Sequence, residues 1–109
     1  MEFVWKPFYS HLGNDAQIFT HVLYDHYSAP DGFNFDTLGI VDAFVDDHRL
    51  ETFNADKMTS KLHDWIIHMK DHYKTNHLFV TFGDDFNYED ARLYFGNLDR
   101  MMKYFNNRY

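Results

Sequence analysis

His77-Leu78-Phe79-Val80-Thr81-Phe82-Gly83-Asp84-Asp85-Phe86-Asn87 decides the fold, because an apolar run stops there at two adjacent carboxylates and an amphipathic pattern takes over. The first six residues have the length and the β-branched and aromatic content of a largely buried strand. Gly83 then breaks the strand. Asn87 suits a helix N-cap with Asp90 three residues on, and Ala91, Tyr94, Phe95, Leu98, Met102 and Phe105 repeat at helical spacing. Strand, acidic turn and helix follow in that order.

Outward from this stretch, Gln17 to Leu23 reads as a second short strand bounded by Asn14-Asp15 and Tyr24-Asp25. Tyr27-Ser28-Ala29-Pro30-Asp31-Gly32 carries the Pro and Gly punctuation of an ordered loop. Between Phe35 and Phe53, Asp42, Asp46, Asp47 and Glu51 interrupt short apolar groups, which predicts a long connection with room for a short helix. A helix then starts at Asn54, its N-cap, with Met58, Leu62, Trp65, Ile66, Met69 and Tyr73 as one apolar stripe ending near Asn76. The expected order is βαβα, the pattern of parallel strands joined by right-handed crossovers. Two strands do not close a sheet. The fold class is therefore α/β, a βαβα segment of a larger β/α barrel or doubly wound domain with flanking helices.

A chain of 109 residues, 45% hydrophobic, suits a single domain with its own core and argues against disorder. A formal charge of -7 argues against nucleic acid or an anionic membrane as main partner, since both attract Lys and Arg. Without cysteine there is no disulfide framework and no thiolate chemistry. No apolar run approaches the length of a membrane span, and the N-terminus lacks the layout of a signal peptide. Aromatic residues make up 20% of the chain, and most are expected to fill the core, with some free to stack on sugar rings.

In β/α barrels the reactive groups sit on loops at the C-terminal ends of strands, where this reading places Asp84 and Asp85. Neighbouring carboxylates disfavour ionisation of both, so one can stay protonated and donate to a leaving group. The competing reading is a surface turn whose Asp caps a helix. His68 and His72 stand one helical turn apart, a spacing that suits a shared metal, although no third ligand is evident and both flank the apolar stripe as a solvated edge would. His21 and His26 lie on or just after the first strand as minor candidates for substrate contact. There is no phosphate loop, nucleophile elbow or nucleic-acid signature.

Met1-Glu2-Phe3-Val4-Trp5-Lys6, Ile18 to Leu23, Tyr27 to Gly32 and Thr75 to Asp99, above all Phe82-Gly83-Asp84-Asp85-Phe86-Asn87-Tyr88-Glu89-Asp90-Ala91, resemble one contiguous stretch of glycoside hydrolase family 38. The resemblance covers nearly the whole chain and implies that residues 1–109 are part of the family's N-terminal catalytic domain, a seven-stranded β/α barrel. It implies a retaining, zinc-dependent α-mannosidase that removes terminal α-D-mannosyl residues from oligosaccharides or glycoprotein glycans, with a lysosomal or other secretory-pathway location. By the same likeness Asp85 is the general acid/base, Asp84 a substrate-contacting or supporting residue, and Met1 to Trp5 the end of a helix. The family's zinc is held by a His-x-Asp pair, the nucleophilic aspartate and a later histidine. None of those motifs occurs in this chain, so no metal ligand is assigned here and the chain alone is expected to be inactive. The alternative is a non-catalytic acidic interaction domain of the same descent.

Overall fold

The computed structural model describes residues 1–37, 39 and 41–109. Among the described residues five elements follow in order: β1 (Glu2–Trp5), α1 (Tyr9–Leu12), β2 (Ile18–His21), α2 (Ala55–Lys70) and α3 (Ala91–Arg108). β1 and β2 pair antiparallel, with Glu2 opposite His21, Phe3 opposite Thr20, Val4 opposite Phe19 and Trp5 opposite Ile18. This corrects the expectation of a helix end at Met1 to Trp5. Phe3, Val4 and Trp5 are aromatic or β-branched, fit a pleated surface, and find their ladder in the equally β-prone Ile18-Phe19-Thr20.

α2 begins where Asn54 predicts, but the Asn54 side chain does not cap it. Its Oδ1 accepts from the Val45 backbone N–H at 2.9 Å and its Nδ2 donates to the Ala43 carbonyl at 2.9 Å, stitching the preceding connection to the helix start. The helix ends at Lys70 rather than near Asn76. There the His72 and Tyr73 amides fold back onto Met69 and Lys70 in tight turns, and the Tyr73 hydroxyl donates to the Val22 carbonyl at 2.8 Å. Tyr73 thus leaves the helical stripe to become buried against His21, the rings stacked with centroids 4.6 Å apart.

α3 starts later than the sequence suggests, at Ala91, with Asp90 as N-cap accepting from the Arg92 amide. Asn87 cannot be that cap. Phe86 and Tyr88 on either side of it have φ of 59° and 69°, left-handed values that an α-helix cannot continue. His77 to Phe82 runs without helix or ladder, tied sideways instead. The Ala29 amide donates to the Gly83 carbonyl at 2.8 Å, and the Thr81 hydroxyl donates to the Ser28 carbonyl at 3.0 Å.

The core lies between α2 and α3 and is closed by the connection from Phe33 to Phe53, which holds no helix among the described residues. Phe33, Phe35, Phe44, Ala55, Leu62, Tyr94 and Met101 are its buried side chains. Buried Asn97 locks the connection to α3, accepting from the Phe44 amide at 2.8 Å and donating to the Leu93 carbonyl at 2.8 Å. Outside this core the chain is open. Its radius of gyration is 17.9 Å and its extents are 64 × 31 × 18 Å, whereas a compact domain of this length would have a radius near ~13 Å. Its accessible surface of 8063 Å² likewise exceeds the roughly 6,400 Å² expected of a folded monomer of this mass. The β1–β2 hairpin supplies much of the excess, because apolar side chains on both of its faces, including Val4, Trp5, Ile18 and Phe19, are more than half exposed.

Candidate functional site

Asp85 sits on the exposed loop that leaves the extended segment at Gly83. Gly83 is buried with φ of 133°, and a Cβ there would lie 2.9 Å from the Tyr88 ring, so only glycine lets the loop turn this tightly. The Asp84 carboxylate accepts the Asp85 backbone N–H at 2.7 Å, and the Asn87 amide returns to the Asp84 carbonyl at 3.2 Å. Asp84 therefore shapes the turn that presents Asp85. Its side chain faces its neighbour's backbone.

The Asp85 carboxylate is oriented from across the molecule. The Tyr27 hydroxyl donates to Asp85 Oδ1 at 2.7 Å, a bond between residues 58 positions apart. That bond, then desolvation, then the charges of Asp85 and Asp84 raise the Tyr27 phenol above its ordinary value, because the carboxylate favours the protonated donor. The His26 ring lies 4.0 Å from the Tyr27 ring, which places His26 beside the site, whereas His21 is packed between Tyr73 and Phe79 and away from Asp85. A cleft of about 230 Å³ is lined among others by Tyr24, Asp25, His26, Asp31, Trp65 and Phe79, and neither Tyr27 nor Asp85 belongs to its lining.

The loop's far end is held by Tyr88. Its backbone N–H donates to Asp36 Oδ2 at 2.7 Å, its hydroxyl donates to the Phe82 carbonyl at 2.6 Å, and its ring packs on Tyr94 and Phe95. Burial, then the charge of Asp36, pushes the Tyr88 phenol up. Tyr94 below it is fully buried and pushed up further, chiefly by desolvation.

Sequence reading brings Asp84 and Asp85 to one turn, where the structure also has them. It missed Tyr27, Asp36 and Tyr88. In the sequence Tyr27 starts a Pro- and Gly-punctuated loop and belongs to the family-like stretch, but nothing there marks it as a site residue, and nothing singles out Asp36; no spacing rule links either to Asp85.

The surroundings of the histidines decide whether they can ligate a metal. His68 and His72 stand with ring centroids 6.0 Å apart, and Tyr24 packs against both. His21 presents a buried Nε2 with no hydrogen-bond partner, while its Nδ1 meets Glu2 Oε1 at 3.2 Å. Among the described residues no three His, Cys, Asp or Glu side chains gather to hold an ion. The described residues do not by themselves build a zinc site.

Along residues 1–109 the chain matches the glycosyl hydrolases family 38 N-terminal domain. It is 37% identical over 106 residues to the lysosomal alpha-mannosidase of Cavia porcellus, 36% to that of Dictyostelium discoideum and 33% to that of Homo sapiens. Each of these alignments takes in 97% of this chain and 10% of the relative, so the chain spans about a tenth of the length of the proteins it resembles.

Proposed function

The chain belongs to glycosyl hydrolase family 38, and from that premise we propose that it carries the general acid/base loop of a retaining α-mannosidase acting on terminal α-D-mannosyl residues. The observation that supports this reading is the exposed Asp85 carboxylate at the end of the 77–83 segment, one oxygen fixed by the Tyr27 hydroxyl at 2.7 Å. In the first half-reaction protonated Asp85 gives its proton to the glycosidic oxygen as the bond to the anomeric carbon breaks and a carboxylate nucleophile attacks that carbon. In the second, Asp85 takes a proton from the water that attacks the glycosyl-enzyme ester. Tyr27 holds the carboxylate in place through both steps.

On this reading residues 1–109 are a βαβα segment of the family's barrel, and the open shape and uncovered hairpin are surfaces that the rest of a catalytic domain would cover. The nucleophile and the zinc ligands are residues other than those described above, so the chain by itself is inactive. The lysosomal relatives support a lysosomal or secretory-pathway setting, and mannose-bearing glycans as substrate.

The test exchanges this stretch into a relative such as the Cavia porcellus enzyme and compares the chimera with its Asp85→Asn variant. Turnover of a methyl-type α-mannoside should fall roughly 100- to 10,000-fold in the variant, the usual worth of general acid/base catalysis. A dinitrophenyl α-mannoside, whose leaving group needs no proton, should still release its phenol in a burst. Equal losses on both substrates, or no loss, would overturn the role.

A further inference from the structure

Asp36 is almost completely buried, at 5% exposure, yet it lies 52 residues before the backbone amide it grips in the acid loop. Its Oδ2 accepts the Tyr88 N–H at 2.7 Å, its Oδ1 accepts the Thr37 hydroxyl at 3.1 Å, and its own amide donates to Asn34 Oδ1 at 3.3 Å. It is flanked by Phe35, whose ring meets Tyr94 edge-on at 6.0 Å in the core. The carboxylate is therefore an anchored point on the rigid side of the molecule.

What it grips is strained. Phe86 and Tyr88, both non-glycine, take left-handed backbone with φ of 59° and 69°, and Asp85 immediately precedes them. Such conformations persist where surrounding contacts over-determine them. Phe86 itself is 88% exposed, so the restraint falls chiefly on Tyr88. A carboxylate accepting a backbone N–H makes a short, charge-assisted bond well suited to that task.

Resting on the reading of Asp85 as the acid/base, we propose that Asp36 is a positioning residue: its Oδ2, by holding the Tyr88 amide, keeps the loop in the left-handed turn that sets Asp85 against Tyr27. Asp36 acts through the loop and does not touch the substrate. Without it the 84–88 turn relaxes to ordinary backbone and the Asp85 carboxylate swings off the Tyr27 hydroxyl.

The Tyr27 phenol reports the arrangement independently of catalysis. The experiment follows Tyr27 ring-carbon shifts through an alkaline NMR titration, with amide exchange at Tyr88, in the 109-residue chain and three variants. In the parent chain Tyr27 should titrate above an exposed tyrosine and the Tyr88 amide should be protected. Asp36→Ala should return Tyr27 to the ordinary range and cut Tyr88 protection at least tenfold. Asp36→Asn, which keeps an acceptor oxygen, should restore both, a rescue that loss of folding would not give. The proposal is overturned if the Ala variant keeps both signals, if the Asn variant loses both, or if the parent shows neither. Asp85→Asn should lower Tyr27 while leaving Tyr88 protected. If Tyr27 does not move in that variant, the Tyr27–Asp85 contact is at fault, whereas failure of the catalytic role alone would appear only in the leaving-group comparison.

Discussion

Gly83 concentrates the local constraints on the site. Its φ of 133° is one that side-chain-bearing residues rarely adopt, and the Tyr88 ring occupies the space a methyl group would need. Gly83→Ala should therefore destabilise the chain by about 1–3 kcal/mol, in the range of a strained backbone plus a forced ring shift, measured as a lower midpoint in urea. A fall of under about 0.3 kcal/mol would mean that Tyr88 moves freely and does not clamp the loop. The same residue shows what is readable from sequence. A glycine between an apolar run and two aspartates announces a turn, because turn chemistry is local, and Asp84 and Asp85 stand in that turn. Tyr27 and Asp36 reach the site through space from 58 and 52 residues away, and a single sequence has no term that couples such positions.

Polar side chains that join elements carry more here than helix caps do. Asn97, 3% exposed, satisfies the Phe44 amide in the core, so Asn97→Leu should leave that buried N–H unpaired and cost about 1–3 kcal/mol despite the added apolar surface. Asn97→Asp keeps an acceptor and should cost less, which equilibrium unfolding of the two variants would check. Tyr94 on the same helix sets an alkaline limit. Burial first, and the neighbouring Tyr88, hold its phenol well above the ordinary tyrosine value, so the folded state keeps this proton more tightly than the unfolded chain does. The stabilisation is complete below the unfolded value and is lost as pH climbs from there through the raised folded value. Tyr73 and Tyr88 are shifted in the same direction, chiefly by burial. Urea midpoints should thus stay level to about pH 9.5 and then fall, and Tyr94→Phe should flatten that fall; an unchanged slope would exclude Tyr94 as a source. Both long helices were legible because an apolar stripe is an internal property of a segment. Strand identity is not. His77 to Phe82 has strand composition but no ladder in this structure, while Glu2 to Trp5 gains strand character from Ile18 to His21, a partner that no local pattern names.

At the scale of the molecule the decisive contrast is between a well-packed α2–α3 half and a hairpin whose apolar side chains are largely exposed. Asn54, Asn97 and the Phe33, Phe44, Tyr94 and Met101 side chains close α2 against α3, and an ion pair and hydrogen bonds from Arg108 and Tyr104 to Asp56 tie the helix ends. The β1–β2 hairpin is anchored at His21, which stacks on Tyr73, but beyond that end Phe3, Trp5 and Ile18 are half exposed on one face and Val4 and Phe19 on the other. A lone two-stranded ribbon is marginal in water, and its unpaired edges and apolar faces favour association. The amides of the hairpin should therefore exchange at least about 100-fold faster than those of the α2 interior, a gap of roughly 3 kcal/mol in opening free energy. The chain should also self-associate as concentration rises in sedimentation velocity. Replacing Val4 and Phe19 together by Lys puts charge on one face without touching the α2–α3 core. That pair should suppress association and leave helix protection unchanged. If the parent chain instead sediments as a monomer at all concentrations and its hairpin amides are as protected as those of α2, the hairpin is self-sufficient, and its exposed faces no longer argue for a covering domain.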